Sequence, residues 1–290
     1  MTADNLDISG DNVNPRSSSM VAHVNTNSPI QAAFFDIDGT LTSFNTHSVP
    51  ASTIIALGDL KARGVKIFIC TGRAPSQLHA AQRMIPVEFD GYITLNGQYC
   101  YDASGFVNEL TLDQEDIRLF IDYLHNHPTL VSSFAEVDYT YFNQDTQTLR
   151  DAWAVLGKSA PDVQVDNVER ALQHPTYQMS PFIHIEQEQE IVSKLPHTTG
   201  VRWHRAFTDL IPANGGKSRG IQCFIEHLGL KASETIAFGD GGNDASMLAF
   251  AGIGVAMGGA TPNAKASADY ITTEVDDDGI LNALRHFHVL

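Results

Sequence analysis

The sequence predicts an α/β protein: a doubly wound, Rossmann-like parallel sheet with an α+β domain inserted into it. Three observations lead there. From Gln31 short apolar runs alternate with amphipathic helical stretches; between Gly97 and about His204 that rhythm gives way to antiparallel-looking strands; beyond it the alternation resumes. Strand–helix alternation makes a parallel sheet with right-handed crossovers. Strands that alternate apolar and polar residues make antiparallel sheets with one solvated face. The expected division is a flexible tail over 1–29, a first core part over 30–97, an insertion over 98–204 and a second core part over 205–290.

The tail is rich in Asn, Ser and Asp and lacks the basic and apolar regions of a signal peptide. "AAFFDI" is the first strand. In "TIIALGDLKARG", Ile54, Leu57 and Leu60 recur at helical spacing, and Gly64 supplies a stop. "VKIFIC" is the second strand, "TGRAPSQLHAAQRM" a helix with Pro75 near its start, and "GYITL" the third strand. Within the insertion, "YCYDASGFVNEL" is a hairpin about Ala103-Ser104-Gly105, "LDQEDIRLFIDYLHNH" an amphipathic helix, and "FAEVDYTYF" and "FIHIEQ" are strands. Helix "SRGIQCFIEHLG", strand "TIAFG", helix "NDASMLAFAG", strand "IGVAM" and then "TPNAKASA" and "YITT" complete the core.

With 290 residues, 43% of them hydrophobic, the chain can bury a large core and form two domains. A formal net charge of −16 argues against nucleic acid or an anionic membrane as partner. Cys70, Cys100 and Cys223 are odd in number and show no C-x-x-C spacing, so neither a disulfide framework nor zinc is expected, and a reducing cytoplasm fits. No apolar run reaches the roughly 18 residues of a membrane span. A small molecule is the expected partner, met by a monomer or small homo-oligomer.

In a doubly wound sheet, ligands bind beyond the carboxyl ends of the strands, where strand order reverses. Four polar clusters fall at such ends: Asp36 and Asp38, Thr71-Gly72-Arg73, Asn96-Gly97, and "GDGGND" over Gly239 to Asp244. Each alone reads equally as a turn or helix cap; together they point to a site. Asp36 and Asp38, two apart, share a face of an ideal strand and at ~4 Å would repel by about 4 kcal/mol. With Asp240 and Asp244 they form an oxygen donor set suited to magnesium rather than zinc. A calcium loop lacks its third acid, and "GGKS" lacks the first glycine of a P-loop, since Ile211 stands there. Lys217 opens a helix, an electrostatically poor place for a cation unless it meets an anion. His125, His127, Trp203 and Phe207 read as surface or packing residues.

The motifs D-I-D-G-T-L-T, "CTGR", "LNG", "GGKSRG" and G-D-G-G-N-D followed by "GIGVAMGGA" resemble, in order and spacing, the haloacid dehalogenase superfamily, and within it the Cof-type phosphatases with a type IIB (C2B) cap. The resemblance implies that Asp36 is the nucleophile forming an aspartyl-phosphate. Asp38 would be the general acid and then base, protonated through its acidic surroundings. Thr71, with neighbouring backbone at Gly72, and Lys217 would hold the phosphoryl oxygens. Mg2+ would sit on Asp36, the carbonyl of Asp38 and Asp240, with Asp244 acting through water or from behind. Asn243 would touch the phosphoryl group or Lys217, and Arg73 and Asn96 the substrate. The implied activity is hydrolysis of sugar phosphates or phosphorylated cofactors. A phosphomutase of the phosphomannomutase type and a non-catalytic sugar-phosphate sensor are the alternatives.

Overall fold

A computed structural model describes residues 29–154 and 162–290, so the expected tail lies almost wholly outside the described residues. The larger sheet has eight strands. In chain order these are β1 (Ala32–Phe35), β2 (Lys66–Cys70), β3 (Gly91–Thr94), β4 (Tyr99–Asp102), β5 (Gly105–Glu109), β11 (Thr235–Gly239), β12 (Ile253–Ala256) and β13 (Tyr270–Ile271). Their spatial order is β13-β12-β11-β1-β2-β3-β4-β5. β1 pairs in parallel with both β2 and β11, so the chain winds outward from β1 in two directions. A crevice opens at that reversal, beyond the carboxyl ends of β1, β2 and β11.

Alternation along β1 splits the core. Phe34 points to one face and stacks on Phe68 with centroids 4.9 Å apart; Phe35 points to the other and stacks on Phe238 at 5.0 Å. The first face is covered by α6 (Lys217–Leu228), through Ile221 and Phe224, and by α7 (Ala245–Phe250) and α8 (Pro262–Ser267). The second is covered by α1 (Ala51–Ala62) and α9 (Gly279–His286), through Leu57, Leu60, Ile280 and Leu284. Gly64, at φ +80°, ends α1 as its sequence indicates.

The smaller sheet is wholly antiparallel, in the order β7-β6-β8-β10-β9, built from β6 (Ser132–Ala135), β7 (Thr140–Phe142), β8 (Gln178–Pro181), β9 (Thr198–His204) and β10 (Phe207–Pro212). α3 (Gln114–Asn126) packs Ile117, Phe120 and Leu124 into its core with Phe134 and Met179.

The two sheets do not divide at the expected residues 98 and 204. β4 and β5 form the expected hairpin, but β4 pairs antiparallel with β3 and so extends the larger sheet. At the other end β10 lies in the smaller sheet, paired with β9 and β8. In both places a tight reversal keeps the next strand beside the previous one, and the change in texture marks strand direction rather than sheet membership. The chain crosses between the sheets around 110–113 and 213–216.

Candidate active site

β1 stops at Phe35, so Asp36 and Asp38 stand on the loop beyond it rather than on one face of a strand. The Asp36 backbone N–H still donates to the Phe238 carbonyl at 3.0 Å, which fixes the start of that loop against β11. Gly39 then turns with φ +87°; a Cβ there would come within 2.3 Å of Asp240 Oδ2. Only glycine allows both that turn and the approach of the two acidic loops. Thr40 Oγ1 donates to Asp240 Oδ1 at 3.1 Å and holds the loops together.

Lys217, the first residue of α6, is 1% exposed. Its ammonium donates to Asp36 Oδ1 at 2.6 Å and to Asp244 Oδ1 at 2.5 Å. Burial disfavours the charged lysine, but Asp244 and Asp36 outweigh it and hold its pKa above the ordinary range. The anomalous cation at a helix start is thus explained by two buried anions. Asp244 Oδ2 accepts from the backbone N–H groups of Asp240 and Gly241 at 2.9 and 2.8 Å. Both oxygens of Asp244 are therefore engaged; it anchors Lys217 and clamps the "GDGGND" loop.

Carboxylate oxygens of Asp36, Asp240 and Asp244 lie within 4.8 Å of one another. Three acids facing one ammonium leave negative charge in excess. Burial, opposed in part by Lys217 and assisted by Asp244 and Asp38, pushes the Asp36 carboxyl up to about 7. Burial, with Asp36 and Asp244, likewise raises Asp240 well above the carboxylate range. Hard oxygen donors with uncompensated negative charge fit a divalent cation such as magnesium.

Asp38 differs from the expectation. Its two oxygens accept from Arg73 Nε and Nη2, both at 2.8 Å, in a bidentate pair. The group paired with Asp38 is a guanidinium, not another acid. Arg73 reaches it because Thr71 N–H bonds Ile93 O at 2.8 Å while Thr71 Oγ1 accepts from Arg73 N–H at 3.2 Å, which folds the loop after β2 back over the crevice.

Asp36, Asp38, Thr71, Gly72, Arg73, Asp240 and Asn243 line one cleft of about 270 Å³. Asn96 does not line it. At φ +55° and 1% exposed, its side chain bridges three others. Oδ1 accepts from Asn243 Nδ2 at 2.9 Å, and Nδ2 donates to Gln178 Oε1 and Asp209 Oδ2, each at 2.9 Å. It joins the two sheets instead of meeting a ligand in the cleft.

The sequence reading passed over Phe44, His204 and Asp209. Trp203 and His204, at the end of β9, and Phe44, on the loop beyond β1, line the same cleft; Phe44 lies beside Gly39 and Asp240, and Trp203 beside Gly241. His204 Nδ1 accepts from the Ala206 backbone N–H at 3.2 Å, so its Nε2 carries the proton of the neutral ring; burial, with Arg205 and Arg202, lowers its pKa. Phe207 packs as expected, among Trp153, Phe182 and Trp203. His125, on α3, and His127, just beyond its end, sit exposed beside Glu169 and Tyr123 respectively. No signal in the sequence distinguishes His204 or Asp209 from ordinary hairpin residues, whereas the acids of the larger sheet sit in a recurrent strand-end pattern.

A family model described as haloacid dehalogenase-like hydrolase matches residues 33–284. A putative phosphatase of Bacillus subtilis, YkrA, is 30% identical over 257 residues, covering 89% of this chain and 97% of that protein. The structure of the HAD subclass IIB sugar phosphatase BT4131 superposes with a TM-score of 0.82 at 38% identity, covering 90% of this chain and all of the other. The phosphatase BT1666 of Bacteroides thetaiotaomicron gives 0.81 at 33% identity, over 94% of this chain and all of that one.

Proposed function

The chain belongs to the haloacid dehalogenase-like hydrolases and is a phosphatase of that family; from there we propose that it hydrolyses a small phosphorylated metabolite, a sugar phosphate or phosphorylated cofactor, through an aspartyl-phosphate on Asp36, with Mg2+ as cofactor. The observation that carries this reading is the meeting of Asp36, Asp240 and Asp244 with a fully buried Lys217 at one end of the larger sheet. A buried ammonium beside an excess of carboxylates is costly to assemble and serves a reaction in which negative charge must approach negative charge.

In this mechanism Asp36 attacks phosphorus in line: a P–O bond forms to its carboxylate and the bond to the leaving alcohol breaks. Asp38 gives the alcohol its proton, then takes one from the water that attacks the aspartyl-phosphate, releasing phosphate and restoring Asp36. For that, Asp38 has to part from Arg73 and take up a proton from solvent before the first step, and an incoming phosphate dianion offers the guanidinium a stronger anion. Thr71, the backbone at Gly72, Lys217 and Asn243 hold the phosphoryl oxygens. Asp36, Asp240 and the Asp38 carbonyl would hold Mg2+, which would supply neutralisation of the phosphate charge. The smaller sheet serves as the cap, with Trp203 and His204 facing the leaving group. Three free, buried cysteines suit a reducing cytoplasm.

The test is phosphate release from a broad panel of phosphate esters, with and without a bisphosphate activator, for the wild type and Asp36→Asn. Expected is activator-independent hydrolysis that the substitution lowers by at least about a thousandfold, the scale on which loss of a covalent nucleophile is felt. Near-normal turnover in Asp36→Asn removes the assigned nucleophile. Obligatory activator dependence without free phosphate replaces hydrolysis by mutase chemistry.

A further inference from the structure

Asp209, on β10, is 1% exposed and has no cation among its hydrogen-bond partners. It is satisfied by three neutral donors: Ser180 Oγ at 2.7 Å on Oδ1, and Asn96 Nδ2 at 2.9 Å and Trp203 Nε1 at 3.2 Å, both on Oδ2. Burying a carboxylate without a counter-ion costs several kcal/mol. The sheet does not require it, since Leu210 and Ile211 beside it are ordinary buried aliphatics. The cost is repaid by what the carboxylate joins. Through Trp203 it fixes the orientation of an indole that lines the cleft. Through Asn96, whose Oδ1 accepts from Asn243, it reaches the acidic loop beside Asp240 and Asp244. Even the floor is shaped for it: a Cβ on Gly72 would come 3.4 Å from Asp209 Oδ2 and 3.1 Å from Asn96 Nδ2.

We propose that Asp209 is a positioning residue for the reaction: it holds Trp203 as the wall against which the leaving group rests and ties that wall, through Asn96, to Asn243 at the phosphate end of the cleft. The idea rests on the proposed phosphatase reading for its kinetic consequences, but not for its structural one. Trp203 and Asp209 also border a second chamber of about 50 Å³ with Ser133, Gln178 and Phe207. That space has room for water or for one polar substituent of a ligand. A hydroxyl-bearing leaving group meets there a carboxylate with an acceptor position to spare, as a carboxylate offers about four and three are used.

Burial pushes the Asp209 carboxyl up to about 6, against the pull of Ser180, Asn96 and Trp203. As pH falls through that value a proton occupies one acceptor, and the tie weakens. The charged groups near it are Lys217 from α6 and Arg73 at the shared chamber wall; His204 on β9, which also titrates, has its ring 5.8 Å from that of Trp203.

Trp153 and Trp203 are the two tryptophans of the chain, so Trp153→Phe makes emission a report on Trp203 alone. An emission transition near pH 6 is expected, more than halved when Asp209→Asn is added. An equal transition in both proteins overturns the proposal, because it would belong to His204. In kinetics with the best ester of the panel, Asp209→Asn should raise KM about tenfold or more with a smaller change in kcat. Trp203→Phe, which keeps an aromatic ring but loses the Nε1–H donor together with part of the indole, should act through the same tie. Its loss should then not add to that of Asp209→Asn. Additive losses overturn the proposal. Absence of phosphatase activity on every ester defeats the functional reading alone, and the fluorescence result still decides for or against the tie.

Discussion

At Lys217 a side chain that sequence reading could equally place in solvent lies fully inside the protein between Asp36 and Asp244. Removing one partner of a buried ionic group costs about 3–5 kcal/mol. Lys217→Met should therefore lower Tm by roughly 5–15 °C, with a larger loss at pH 8 than at pH 6. The sign follows from Asp36, whose carboxyl titrates near 7: once protonated it no longer needs the ammonium. Thermal melts at the two pH values check this, and equal losses would remove the coupling. Asp38→Ala should cut kcat far more than it raises KM, and a change confined to KM would take away its acid–base role. The acids and Lys217 were legible in the sequence because their residue types are out of place at strand ends and a helix start. The partner of Asp38 was not. Arg73 is 35 positions away, and which charge meets Asp38 depends on how the loop after β2 folds.

The elements show where pattern reading stops. Strand and helix periodicities gave the core of the larger sheet in order, but periodicity says nothing about which sheet a hairpin joins. Tyr99–Asp102 carries the alternation of an antiparallel strand whether it pairs with β3 or within the smaller sheet; the turn at Leu95-Asn96-Gly97 decides. Gly97 has φ +96°, and a Cβ on it would lie 2.2 Å from the Gly216 carbonyl oxygen, the residue before Lys217. Gly97→Ala thus strains the turn and pushes the start of α6 outward. A loss of about 1–3 kcal/mol is expected, together with a lower kcat as Lys217 moves. Denaturant unfolding measures the first and phosphate release the second; a variant unchanged in both would show that the contact carries nothing.

For the whole molecule, the cluster of raised carboxyls sets a pH-dependent stability. The folded-state value of Asp36, about 7, exceeds the ordinary 3.8. Between those values the native state holds a proton that the unfolded chain has released, so this contribution to stability falls as pH rises from about 4 to 7. A cation needs the same carboxylates ionised. Magnesium should therefore raise Tm more at pH 8 than at pH 6, and chelation should reverse the gain; an equal shift at both pH values would separate the cation from Asp36. The charged groups proposed for chemistry, Asp36, Asp38, Asp240 and Lys217, all stand on the larger sheet's loops and helices, while the smaller sheet is joined to it by two chain crossings, around 110–113 and 213–216. That connectivity makes the smaller sheet a cassette that recombination can replace without moving the acids or Lys217, provided the newcomer answers the host groups that reach across to it, among them Asn96, the Ser76 N–H and Glu109.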